Sequence, residues 1–412
     1  MLQAFRNPIW LRTAKMLTAF VVLQSGFAAN ANSSSTSSKD EAAVGEARGE
    51  LSTTQGTSSS WRKSVETKSA YKLSSGFDSF ANEREQSQFF GMTVATDFKA
   101  QLLSSLSFRT KAGATLSSGY AQSRFGDNVG RSSIWFEEAT LNLRAINTDP
   151  ARAYLSAGAL NQGELGMGLL VDRQPFPGVR ETVVLGSGNR FKVKLMAQQT
   201  IPTSKTLSTK TVDAEVTPLF TTETLELSMK PNDVLTLKGF VTHFAFHNLP
   251  SAVALESVIY GNSVAETGPN TARFKYGFEG IGAGGGAAIQ MSRNLEWRLG
   301  GYILQNAQAP EGYRNAQFLR TDLKVGLADD IDLIPGVATF FAEDDVTPGF
   351  YNSSYSGHNN RQGFSGMLEV FFQKQRFKLK SEFTDADVIN FNINQSRQQT
   401  FSIGFETFYE IF

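Results

Sequence analysis

The feature that most constrains this chain is a period of two that returns, stretch after stretch, from Phe89 to the last residue. Leu295, Trp297, Leu299, Gly301 and Ile303 alternate with Glu296, Arg298, Gly300 and Tyr302. Leu319, Thr321, Leu323, Val325 and Leu327 alternate with Arg320, Asp322 and Lys324, and Phe377, Leu379, Ser381 and Phe383 with Lys378, Lys380 and Glu382. Successive side chains of a strand point to opposite faces, so each stretch is a strand with one apolar and one polar face. Two architectures satisfy this pattern: a soluble sandwich with its apolar faces turned inward, and a closed barrel in lipid with its apolar faces turned outward.

The connections separate the two. Short ones, rich in Pro, Asn, Asp, Gly and Ser, fall at 101–104, 146–150, 187–189, 231–233, 292–294, 328–335 and 374–375. Long ones fall near 76–87, 120–132, 161–179, 202–218, 247–271, 306–314, 345–361 and 387–399. Strict alternation of short and long is the mark of a meander with tight turns on one side of a membrane and long loops on the other. A Greek-key sandwich has no reason to show it. Seven short and eight long connections make 15, hence sixteen strands with both ends on the short-turn side. That parity requires a first strand around Ala70–Ser74 and a pair, Glu181–Gly186 and Arg190–Ile201, split at 187–189.

The amino end agrees. Arg6, Arg12 and Lys15 precede the apolar run from Met16 to Leu23, and Ala29-Asn30-Ala31 follows. A basic region, a short apolar core and a small-x-small site form a secretory signal peptide over 1–31 with cleavage after Ala31. Residues 32–67 are Ser/Thr-rich and charged, with too little apolar area to offset the entropy of ordering, and read as a disordered periplasmic segment. The barrel takes 68–412. No later run is long and apolar enough for a spanning helix, so a membrane crossing must use strands. Thirty-nine Lys+Arg balance 39 Asp+Glu, which argues against a nucleic-acid partner, and the absence of Cys removes disulfides and thiol metal sites.

The signal, the sixteen-strand all-β up-and-down meander and the final strand ending at Phe412 together resemble a Gram-negative outer-membrane porin. The resemblance implies a channel integral to the outer membrane, surrounded by its lipid, with the terminal aromatic Phe412 as the signal read by the barrel assembly machinery, and a homotrimer as the usual assembly. The sequence itself marks no subunit interface. The last strand departs from the porin pattern, since Glu406 and Glu410 share the parity of Phe412.

If the apolar parity faces lipid, the other parity lines the pore. Its bases are Lys99, Arg109, Lys111, Arg144, Lys192, Lys194, Lys238, Arg273, Lys275, Arg298, Arg320, Lys324, Lys378 and Lys380. Its acids are Asp97, Glu138, Glu226, Glu279, Glu296, Asp322, Glu369, Glu382, Glu406 and Glu410. Fourteen against ten leaves an excess of four positive charges, 14 − 10, and rings of charge set pore selectivity, so weak anion preference is expected. Against it stands a reading in which these residues are cross-strand ion pairs with little residual field. In the porin resemblance the third long loop folds inward as a constriction; here that loop is the most apolar and carries Glu164, Asp172 and Arg173.

Chemistry is weakly indicated. Gly280–Ala287 is glycine-rich, but no helix follows it, which excludes a nucleotide loop and suggests a strand where another chain segment approaches closely. His243 and His247 are about 13 Å apart on one strand face, too far to share a metal, and no acid is evident beside them. Asp344 and Asp345 could hold a divalent cation, although an acidic solvated loop is the plainer reading. No catalytic constellation, cofactor or metal site is expected. The function read from the sequence is passive diffusion of small hydrophilic solutes; the alternatives are a substrate-selective channel, or a non-conducting barrel acting as enzyme or adhesin.

Overall fold

The computed structural model describes residues 66–82, 86–122, 132–186, 190–328, 330–353 and 356–410. The signal peptide, nearly all of the Ser/Thr-rich segment, and Phe412 lie outside the described residues. Sixteen antiparallel strands close into one barrel: β1 (Glu66–Asn82), β2 (Gln86–Gln101), β3 (Leu106–Gln122), β4 (Ser133–Asn147), β5 (Ala151–Asn161), β6 (Pro175–Leu185), β7 (Phe191–Thr200), β8 (Leu219–Met229), β9 (Leu235–His247), β12 (Phe278–Ser292), β13 (Leu295–Asn306), β14 (Asn315–Ala328), β15 (Ile331–Ala342), β16 (Arg361–Phe372), β17 (Phe377–Val388) and β18 (Gln398–Glu410). A two-stranded hairpin, β10 (Val264–Glu266) with β11 (Arg273–Phe274), and a short helix α1 (Ser251–Ser257) belong to the fifth external loop. Closure comes from β1 pairing β18, with Tyr71 opposite Tyr409 and Phe77 opposite Ile403. A closed barrel leaves no edge strand, so every ladder group is paired without water, the condition for crossing a bilayer with strands.

The outward face is apolar as the alternation requires. Phe90, Met92 and Val94 on β2, Leu225 and Leu227 on β8, Leu319 on β14 and Phe401 and Phe405 on β18 are all exposed large hydrophobics. Their neighbours in sequence point into the lumen. Toward the short turns, rings pair on the outside, Phe98 with Phe108 and Phe377 with both Phe372 and Phe405, in the aromatic girdle expected at a lipid interface.

Several boundaries differ from expectation: the loop placed at 161–179 ends where β6 begins at Pro175, and the one placed at 247–271 runs on to Phe278 of β12. The loop placed at 76–87 is largely strand, since β1 continues to Asn82 and β2 begins at Gln86. The first strand also starts at Glu66, two residues inside the segment expected to be disordered. The turn placed at 328–335 ends at Asp330, and Pro335 lies inside β15. There the β14–β15 pairing runs from Asp322 opposite Gly336 straight to Val325 opposite Leu333. Proline has no N–H to give the ladder, so this stretch reads as a turn in the sequence while remaining strand in the barrel.

Candidate functional site

The lumen is divided between an apolar core and a polar wall. The third external loop, residues 162–174, enters the barrel through a 3-10 turn, Gln162–Leu165, whose start is capped by Asn161 accepting from the Gly163 N–H at 2.8 Å and whose end turns at Gly166 with φ of 70°. Leu165, Met167, Leu169, Leu170 and Val171 are then buried against inward-facing Phe220, Phe244, Phe246 and Leu304 of the wall. Leu169 N–H donates to Tyr302 Oη at 3.0 Å. The glycine-rich stretch expected to admit a close approach does so: a Cβ on Gly282 would stand 2.7 Å from Met167 Sδ.

The seventh external loop, residues 343–360, also packs inward, which the sequence reading did not anticipate. Tyr351, 1% exposed, lies at the hub of the internal core, edge-on to Phe176 at 5.4 Å and stacked with Phe246 at 6.0 Å. The two loops are joined directly. Asp172 N–H donates to Tyr351 O at 2.8 Å, Ser353 N–H to Gly168 O at 2.9 Å, and Thr347 Oγ1 to Leu169 O at 2.8 Å. A net of amides then ties the seventh loop to the fifth and eighth: Asn262 Nδ2 donates to Thr347 O at 2.9 Å, and Asn390 Nδ2 to Asp344 Oδ1 at 2.9 Å. A signal existed in the seventh loop, where Phe350, Tyr351, Asn352, Asn359 and Asn360 supply both apolar anchors and paired donor–acceptor groups.

Asp344 and Asp345 are therefore not a solvated acidic loop. Asp345 is fully buried, accepting from the Ser263 N–H at 2.9 Å, while its Oδ2 has no hydrogen-bond partner. Burial pushes its carboxyl up to about 6 and also raises Asp344. Among the described residues no group of three or more His, Cys, Asp or Glu could hold a metal ion. His243 does have an acidic neighbour, Glu279 at 3.5 Å, contrary to expectation; strand parity sets both on the outer face.

The expected pore residues fall into three groups. Glu164 of the third loop pairs with buried Arg180 of β6, which also donates to Gln198 Oε1 at 3.0 Å and to Asn161 O at 3.0 Å, so the loop is latched to the wall. Asp172 and Arg173 follow in the same loop, with Asp172 Oδ1 accepting from the Arg173 N–H at 2.8 Å. On the strands the inward bases sit beside acids: Arg109 with Asp97 at 2.8 Å and Glu138 at 3.5 Å, Lys111 with Glu137 at 2.8 Å, Lys194 with Glu226 at 3.7 Å, Arg298 with Glu296 at 2.7 Å, Arg320 with Asp322 at 3.2 Å, Lys324 with Asp332 at 3.0 Å, Lys378 with Glu369 at 3.0 Å and Lys380 with Glu382 at 2.8 Å. Lys192 is inward on β7 opposite Ser228. Arg273 and Lys275 correct the sequence reading, since they lie in and just after β11 of the fifth loop, where Arg273 pairs with Glu266 at 3.6 Å. Removing them and the outward Glu279 leaves twelve of the expected bases (14 − 2) and nine of the expected acids (10 − 1), to which the structure adds Glu137 and Asp332 as inward acids and Lys72 and Arg180 as inward bases.

On the side of β13–β17 a cavity of about 290 Å³ remains between loops and wall. Gly166, Gly168 and Leu169 of the third loop and Ser353 and Ser356 of the seventh form one side of it. Tyr302, Phe318, Arg320, Ala338, Phe340, Ser365, Met367, Lys380 and Glu382 form the other.

A closed sixteen-strand barrel with short turns at one end, long loops at the other, a lipid-facing apolar belt and an inward third loop gives this chain the fold of an outer-membrane β-barrel, the fold that porins share. Solved structures agree on the fold. OprB of Pseudomonas putida shares 12% identity at a TM-score of 0.51, over 84% of this chain and 95% of that one. Outer-membrane-expressed OmpT of Vibrio cholerae shares 10% at a TM-score of 0.50, over 84% and 98%. No family model matches the sequence, and no curated protein matches it.

Proposed function

We propose that this protein is a passive diffusion channel for small hydrophilic solutes across the outer membrane, weakly anion-preferring, with no catalytic role. The observation that carries the reading is the unequal filling of the lumen. Loops and aromatic side chains occupy one side, while the wall from β18 through β1 to β3 presents Gly76, Gly91, Gly404, Ser402 and Thr93 inward, residues too small to close it. Arg109, Lys111, Lys378 and Lys380 line this passage, Lys192, Lys194, Arg298, Arg320 and Lys324 face it from β7, β13 and β14 across the lumen, and Glu164, Asp172 and Arg173 sit in its constriction loop. Pairing weakens each base's field, but the positive excess among the inward strand residues survives pairing and favours anions. The test is single-channel conductance of the refolded chain lacking residues 1–31, with the reversal potential under a KCl gradient. A large ohmic conductance with a slight anion-directed reversal is expected. Silence in folded protein removes the channel reading and favours an enzyme or adhesin carried by the external loops.

A homotrimer is the assembly this reading favours, and the outer face offers a contact for it. Glu181 points outward only four residues from Leu185, the periplasmic end of β6, and Glu223 points outward on β8, with Ala197 between them on β7. A strand needs about ten residues to span the lipid, so Glu181 stands within the apolar band, where an ionisable side chain is costly. Contact with a second copy would remove both carboxylates from lipid. As the sequence has no cysteine, a spin label on Ala197→Cys reads the assembly: short distances between labels on different copies are expected if β7 lies at the interface, and none if it faces lipid.

A further inference from the structure

Resting on the channel reading, we propose that the cavity beside β13–β17 is a recognition site for small zwitterions with an apolar body, of the kind exemplified by an apolar amino acid. Strand register arranges its wall in rows. Tyr302, Phe318 and Phe340 stand opposite one another across β13, β14 and β15, with the Tyr302 and Phe318 rings stacked at 5.4 Å. One step toward the periplasm comes the row Gly300, Arg320, Ala338 and Ser365. The next row carries Asp322, Gly336, Met367 and Glu382, with Lys380 below it. The result is a shallow recess over Ala338 and Gly336, with an aromatic shelf above, Arg320 on one flank and the Lys380–Glu382 pair on the other.

The charges of this recess are matched. Arg320 is balanced by Asp322 at 3.2 Å and Lys380 by Glu382 at 2.8 Å. A net anion or cation therefore finds no uncompensated field here, whatever the excess elsewhere in the lumen. A zwitterion meets both signs. Its carboxylate takes N–H donors from Arg320, whose guanidinium carries five and gives Nε to Asp322, while its ammonium is met by Glu382. The apolar body then replaces water against Phe318, Phe340 and Met367, which gains free energy in proportion to the area covered. A sugar of equal size would cover the same shelf with hydroxyls that lose their water partners. The volume of about 290 Å³ sits at the small end of ligand cavities and admits one such molecule at a time.

The test uses the full mature barrel in planar bilayers, with L-phenylalanine as probe and N-acetyl-phenylalanine, phenylalaninamide and glucose as controls. Phenylalanine should interrupt the KCl current at concentrations about tenfold below those at which the monoanion, the monocation or the sugar does, the difference one charged hydrogen bond carries. Glu382→Gln should erase the advantage of phenylalanine over N-acetyl-phenylalanine, and Phe318→Ala should erase its advantage over alanine, each with KCl conductance retained as evidence of folding. Equal block by all four probes in a conducting wild-type channel overturns the proposal and leaves the channel intact. Absence of KCl conductance in folded protein overturns the channel reading, and this one with it.

Discussion

The inner wall of this barrel is two surfaces. Along β6–β15 it carries Phe176, Phe220, Phe244, Phe246, Leu304 and Phe340, all buried under the third and seventh loops. From β18 through β1 to β3 it carries glycine, serine, threonine and paired charges, and among the described residues no loop core covers it. The outward parity is apolar on both halves because lipid demands it of every strand, apart from the patch of Glu181, Glu223, His243 and Glu279 on β6–β12. The inward parity is released from that demand, so it is where the chain distinguishes a side that binds its own loops from a side that faces solvent. Closing one half with apolar packing fixes the cross-section of the other, and a passage of defined width follows from a wall whose strands are otherwise alike.

The strongest way to break the distinction is to unlock the packed half. Tyr351→Ala removes the ring that meets Phe176 and Phe246 and leaves a cavity, at a cost of about 3–5 kcal/mol. Thermal unfolding in detergent should show that loss, and single-channel recordings should show larger and noisier openings as the seventh loop comes free. A variant as stable and as quiet as wild type would mean the internal core does not hold the loops.

Acidity acts on the same half through Asp345. Its carboxyl is raised in the folded protein, so the folded state holds a proton that the unfolded chain releases, and stability falls as pH rises from its ordinary value near 4 to about 6. The penalty, fully present above pH 6, is about 3 kcal/mol for a shift of this size. Asp345→Asn should raise the melting temperature at pH 7.5, leave it nearly unchanged at pH 4, and flatten the profile between. An identical pH profile in the two proteins would show that another group governs the loop.

Much of the barrel was legible because lipid writes the same rule on every strand. Leu319, Val337 and Phe401 declare the outward parity by themselves, and the alternation of short and long connections counts the strands. What failed was local or long-range. Pro335 imitates a turn, since a missing N–H looks the same in a sequence wherever it falls. Arg273 and Lys275 carry the alternation of a barrel strand but belong to a loop hairpin, because two residues of pairing suffice for β10 and β11. The apolar third loop announced its burial. The contact of the seventh loop with it joins Asp172 to Tyr351, and no periodicity reports a pairing that distant. Parity could locate inward bases, but distinguishing a lone charge from Arg298 beside Glu296 required the register.

A single methyl group can sharpen the comparison. Gly282 on β12 lies under the third loop, where an added Cβ would meet Met167 Sδ and Leu304 Cδ2 at 2.7 Å. Gly282→Ala should therefore displace the loop and cost about 1–3 kcal/mol, the range for overpacking a filled core. Melting temperature reads the cost, and an unchanged value would mean the loop yields freely at Met167.

On the open half the same kind of change should do the opposite. The Cβ of a residue replacing Gly91 would find nothing closer than Leu116 O at 3.9 Å, and its cross-strand neighbours Gly76 and Ser117 leave room for a ring lying along the wall. Gly91→Phe should thus change stability by less than about 0.5 kcal/mol, as a substitution facing solvent does. Its effect belongs to the passage, since a phenyl ring projecting where Gly76, Gly91 and Gly404 leave space narrows the lumen and lowers single-channel conductance in a protein that melts as before. If Gly91→Phe destabilises the barrel as Gly282→Ala does, the two halves are packed alike and the open passage lies elsewhere. If it leaves both stability and conductance unchanged, ions do not travel along this wall, and the cavity between β13 and β17 becomes the path.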